Sequence, residues 1–116
     1  MSVEEPQTVD FVTLAAVPET VLLVVSDHLD WANSLEHQLV LQKKLNAYLA
    51  FIESQKLFRR FPKARGKRVE IRVVFQFPPD PGGEQFLSRA NDTIRSAGFH
   101  FSYEVGLRPP ILEQIN

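Results

Sequence analysis

The stretch "RVEIRVVFQF", residues 68–77, decides how the chain is to be folded. Val69, Ile71, Val73, Phe75 and Phe77 alternate with Arg68, Glu70, Arg72, Val74 and Gln76. That is the two-residue period of a strand with one apolar face and one mostly polar face. Pro78-Pro79-Asp80-Pro81-Gly82-Gly83 breaks the strand at once.

On either side of this strand the period changes. Upstream, Leu35, Leu39, Leu45, Leu49 and Ile52 recur at helical spacing with Tyr48 alongside, leaving Glu36, Lys43, Lys44 and Glu53 off the stripe. Asn33, three residues before Glu36, matches a capping box loosely. The spacing predicts a helix from there to about Leu57 or Phe58, roughly 36 Å long, ended by Pro62 and Gly66. Earlier still, Phe11–Ala16 and Val21–Ser26 are short β-branched runs separated by Val17-Pro18-Glu19-Thr20, a hairpin pattern. Downstream, Phe86, Leu87, Ala90, Ile94 and Ala97 mark a second helix, and Gly98 suits the left-handed residue past its end. Phe99, Phe101, Tyr103 and Val105 then alternate with His100, Ser102 and Glu104 as a last strand.

The expected fold is therefore α+β, a two-layer α/β sandwich of order β-β-α-β-α-β. It has a four-stranded mixed sheet with two helices on one face. If each helix reverses the chain, strands two to four run parallel and the first antiparallel. The second face, with Arg72, Val74 and Gln76 beside His100, Ser102 and Glu104, then meets water or another copy of the chain. Residues 1–8 are expected to be a loose arm, 9–105 a single domain and 106–116 a tail.

Composition limits the function classes. The chain has 116 residues, 44% hydrophobic and 23% charged, as for an ordinary single globular domain. It contains no cysteine, which excludes disulfides, thiolate metal sites and cysteine nucleophiles and suits a reducing compartment. The first residues lack the basic start and apolar run of a signal peptide, and the longest purely apolar run, Val21–Val25, is too short for a bilayer. A cytoplasmic location is expected. The net charge of −1 hides a segregation: the first 42 residues have no Lys or Arg, whereas the basic residues crowd into 43–72.

The densest chemistry is "SDHLDW", residues 26–31, with His37 nearby. Asp27, His28, Asp30, Trp31 and His37 are the candidate ligand- or partner-binding residues. A metal reading would recruit both histidines with Asp27, Asp30 and Glu36, but His28 and His37 do not have the spacing of an established metal motif. A catalytic reading would set His28 beside Asp27 or Asp30 as an oriented imidazole, without a nucleophile, since Ser26 on a strand points away from Asp27. The structural reading is simpler. Asp27 or Asp30 accepts backbone N–H bonds in the turn, the acids suit a helix start, and Trp31 covers the core with its indole N–H on a carbonyl. No cofactor, metal or catalytic residue is implied.

A second candidate is the basic segment 56–72, chiefly Arg59, Arg60, Lys63, Arg65, Lys67 and Arg68, with Phe58 and Phe61 interleaved. It could contact nucleic-acid phosphates. Against that, charged helix-to-strand loops are usually solvated, and the two Phe residues are expected in the core. An acidic protein surface, that of a second copy included, fits the charge as well.

The segments "VDFVTL" (9–14), "SDHLDW" (26–31), "EHQLVLQKKLNAYLAFIES" (36–54), "KRVEIRVVFQFPP" (67–79) and "AGFHFSYEV" (97–105) together resemble a family of small bacterial proteins of unknown function. The resemblance covers about residues 9–105 and implies a bacterial, cytoplasmic protein. It transfers no activity. The expectation is a non-enzymatic binding or accessory module acting through protein contacts, a homodimer among them, with no membrane partner. The alternatives are a small-ligand or metal-dependent enzyme using the 27–37 region, and nucleic-acid binding through the basic segment.

Overall fold

The computed structural model describes residues 20–106 in full and 11–15 as backbone. The expected arm 1–8, the hairpin turn at 17–19 and all of the expected tail except Gly106 lie outside the described residues. The elements are β1 (Phe11–Ala15), β2 (Thr20–Asp27), α1 (Ser34–Glu53), α2 (Lys56–Arg60), a 3-10 turn (Pro62–Ala64), β3 (Arg68–Phe75), α3 (Pro81–Ser96) and β4 (His100–Val105).

The strands lie in the order β1-β2-β3-β4. β2 pairs parallel with β3, and β3 with β4, while β1 joins the edge of β2 antiparallel over five residues. The result is an α+β fold with three parallel strands in one sheet and three helices. This corrects the expected two-layer sandwich with two helices. The body of the sheet is the parallel unit β2-β3-β4, and the long helix expected over 33–58 is two helices, α1 and α2.

The break between them has a physical cause. Leu41, Leu45, Tyr48 and Ile52 form the buried stripe of α1. A straight continuation would bring Gln55 and Lys56 onto that stripe. Instead Gln55 takes a left-handed conformation (φ 70°), the chain turns, and Leu57 is buried. The left-handed backbone costs roughly 1–2 kcal/mol, and burial of one leucine offsets it with about 1.5–3 kcal/mol.

The phase of α1 also departs from expectation. Leu35 and Leu39, expected in the core stripe, are 74% and 58% exposed, whereas His37 and Lys44 are buried. The ammonium of Lys44 lies 5.5 Å from the centre of the Tyr48 ring, an attractive geometry for a cation over an aromatic face. The Tyr48 hydroxyl in turn donates to the Val24 carbonyl at 2.6 Å. The core is one cluster joining the inward residues of β2 (Val21, Leu23, Val25) and β3 (Val69, Ile71, Val73, Phe75) to α1 and to Leu87 and Ile94 of α3. Phe77, expected on the apolar face of the strand, lies beyond its end and is 40% exposed. Gly98 takes the expected left-handed conformation (φ 96°).

The opposite sheet face is polar. Ser102 donates to Glu70 at 2.6 Å, and Arg72 donates to both Glu70 and Ser102. Burial by itself would raise the Glu70 carboxyl, but the Ser102 and Arg72 hydrogen bonds, with the charges of Arg72 and His100, outweigh it and hold the group below its ordinary value.

The corrected helix phase is directly testable. Leu41→Ala empties a fully buried site and is expected to cost about 2–5 kcal/mol, whereas Leu39→Ala changes stability by roughly 0.5 kcal/mol or less. Urea denaturation of the two variants measures the contrast, and equal losses would restore the expected stripe.

Candidate functional site

The carboxyl ends of β2 and β3 and the amino ends of α1 and α3 meet at one place, and "SDHLDW" lies there. The parallel register sets Asp27 beside Phe75. Asp27 points inward with the core residues of β2 and is fully buried, while Ser26 is exposed on the other face. One Asp27 oxygen accepts the Leu29 N–H at 3.0 Å, and the other meets His37 Nε2 at 2.6 Å. His37 Nδ1 meets the Asp30 carbonyl at 2.9 Å. A carbonyl can only accept, so Nδ1 is the donor in that bond. The imidazole thus ties the end of β2 to the first turn of α1 through both of its nitrogens.

Trp31 closes the arrangement. Its ring stacks on His37 with centroids 3.7 Å apart and planes 23° apart, and its Nε1 donates to the Phe77 carbonyl at 3.1 Å. Phe75 packs on both rings and meets Tyr103 edge-on at 5.7 Å. Asn33 caps α1: its side chain accepts the Glu36 N–H at 3.2 Å and donates to the Glu36 carboxylate at 3.1 Å. The first bond is the one the Asn-to-Glu spacing predicts; the second joins the two side chains, where a full capping box would return to the Asn33 backbone N–H. Asp30 accepts the Ala32 N–H at 3.1 Å. Both turn acids and the indole therefore perform the structural tasks expected of them.

Some residues of the junction are less plain in the sequence. Asp80 caps α3 by accepting the Gly83 N–H at 2.7 Å, and it also accepts the Ser34 hydroxyl at 3.0 Å, linking the two helix starts. Gln38 donates to the same hydroxyl at 3.0 Å. Asp80-Pro81 is a helix-start signature as well as a break. Gly83 is needed for space: a Cβ there would lie 2.7 Å from the Trp31 ring.

The candidate residues divide accordingly. Asp27 and His37 form the buried pair, with Trp31 over it. His28 and Asp30 are exposed. They line an open groove of about 380 Å³ with Leu29, Asn33, Glu36 and Phe77, and His37 contributes to its floor. The two histidines thus face one groove without forming a metal centre. Among the described residues no group of three or more His, Asp or Glu is placed to hold a metal ion. The His37 ring already uses both nitrogens and has Trp31 on one face, so it offers no free base to a substrate.

The basic segment lies elsewhere. Thr20 pairs with Arg68 at the far end of β2 and β3 from Asp27 and Phe75, roughly 23 Å away at strand rise. Arg59, Arg60, Lys63, Arg65 and Arg68 are exposed and Lys67 is half-buried. Phe58 is half-buried and Phe61 exposed, and each ring has a guanidinium of its own chain nearby, Arg65 at 5.9 Å and Arg60 at 6.0 Å. The expected core position of Phe61 is therefore corrected. No described helix is long and apolar enough to cross a membrane.

Gly83→Ala is expected to displace the indole and to cost about 1–3 kcal/mol. Trp31 is the only tryptophan, so its fluorescence reports the displacement. Unchanged emission with unchanged stability would show that the ring is not held where the structure places it.

The sequence matches a model of a family of unknown function (DUF6572) over residues 1–106. No curated protein and no solved structure matches it. The family match agrees with the earlier resemblance over 9–105 and extends it through the amino-terminal residues. The chain belongs to this family of unknown function.

Proposed function

We propose that the protein is a small bacterial, cytoplasmic accessory module that works by binding another protein, without catalysis of its own. The observation that carries this reading is the contrast at the α1 end of the sheet. Its one Asp–His pair is buried, doubly bonded and covered by Trp31, while Leu35, Leu39 and Phe77 stand exposed on the surface there. Exposed large apolar side chains rimmed by polar groups mark protein contact surfaces. Asp30, Asn33 and Glu36 line the groove with Phe77, and Leu35 and Leu39 stand exposed outside that lining on the same two turns of α1. The sheet-end position supports the same reading, since α/β sheets usually bind partners beyond the carboxyl ends of their strands.

The test compares the wild type with Leu35→Glu/Leu39→Glu. Both side chains are exposed, so the variant keeps its fold and thermal midpoint. Proteins crosslinked to the wild type in native lysate are expected to be lost from the variant. Identical crosslinked partners with both chains would remove the α1 surface from the account.

A further inference from the structure

We propose that the outer edge of β4 is a self-association surface, on which a second copy of the chain adds its own β4 antiparallel across a two-fold axis at Ser102. β4 ends the described sheet, and among the described residues no strand pairs with its outer side. The Gly106 N–H bonds the Phe75 carbonyl at 3.2 Å, which sets the direction of the backbone. By strand alternation, the N–H and C=O groups of Phe101, Tyr103 and Val105 face away from β3. They form the hydrogen-bonding row that an added strand requires.

The side-chain order selects the occupant, because it is self-complementary. With Ser102 opposite its own equivalent, His100 faces Glu104 of the partner subunit, and Glu104 faces His100 of the partner subunit. Phe101 then faces Tyr103 of the partner subunit, and Phe99 faces Val105 of the partner subunit. The imidazole–carboxylate pairs fall on the polar sheet face and the apolar pairs on the helix-bearing face. Hydrogen-bonding polar pairs and aromatic pairs directly across strands are favourable combinations, and an isologous interface needs this self-complementary order. A shift of two residues in the pairing would put Glu104 opposite Ser102 and lose both imidazole–carboxylate pairs.

A groove of about 430 Å³ runs between β4 and α3, lined by Ser88, Asn91, Phe101 and Tyr103 among others. Tyr103 is 42% exposed at its edge. The pairing joins two sheets into one of eight strands and is independent of the surface around Leu35 and Leu39.

Sedimentation analysis of the full chain tests the proposal. The wild type is expected to be dimeric. His100→Glu sets carboxylates opposite each other twice and is expected to weaken the dimer about tenfold or more, and His100→Glu/Glu104→Lys is expected to restore it. The chain has no cysteine, so Ser102→Cys supplies a single thiol at the axis. The facing Cα atoms, about 4.5 Å apart in such a pair, lie within disulfide reach. Mild oxidation is expected to crosslink that variant and to leave the exposed control Ser96→Cys monomeric on a denaturing gel. A monomeric wild type, a dimer indifferent to His100→Glu, or equal crosslinking of the two thiol variants would overturn the proposal.

Discussion

The hydrogen bond between Asp27 and His37, 2.6 Å long and buried, is the constraint on which the rest of the junction depends. It joins the last residue of β2 to the first turn of α1, ten residues later. A buried carboxylate without a partner is strongly unfavourable. One Asp27 oxygen is satisfied by the Leu29 N–H, and the other finds its partner because the turn at 28–33 brings His37 back over it. Once the imidazole is placed, Trp31 has a flat surface to stack on, and the indole defines where α3 must begin, because only a glycine at 83 clears it. The two helix caps at Asn33 and Asp80 then lie close enough to be joined through Ser34.

This end of the sheet is thus occupied by the protein's own side chains, although sheets of this kind commonly present catalytic loops here. The imidazole and carboxylate that would attract attention as an acid–base pair are consumed in holding two elements together. What remains open to a partner is the outside of the junction, with the groove beside His28 and the apolar residues on the first turns of α1. The basic segment is displaced to the far end of the strands, where its guanidiniums lie near its own phenylalanines. Among the described residues, the acids Asp27, Asp30 and Glu36 lie at the opposite end of the strands from Arg68.

Much of this was legible in the residues. The alternation through Val69, Ile71, Val73 and Phe75 identified the central strand, and Asn33, Trp31 and Gly98 perform the local roles their types suggest. The failures have physical causes. α1 carries apolar residues all round, so Leu35 and Leu39 fit a helical stripe as well as Leu41 does. Only the packed structure selects the phase that buries His37 and Lys44. The division at Gln55 requires a left-handed residue that is not glycine, which no local preference signals. The Asp27–His37 pair spans a loop, so its existence depends on how the strand and helix dock, not on spacing along the chain. The links to Asp80 and Gly83, more than forty residues away, are legible only as a helix start.

The central claim is that Asp27 and His37 act as one structural unit. A double-mutant cycle on unfolding free energy, using Asp27→Asn, His37→Gln and the double variant, tests it most directly. The account predicts that each single variant is strongly destabilising and that the double variant loses less than their sum, with a coupling of about 1–3 kcal/mol. Additive losses would contradict it, because they would mean that the two side chains contribute separately and that the junction is held by something else.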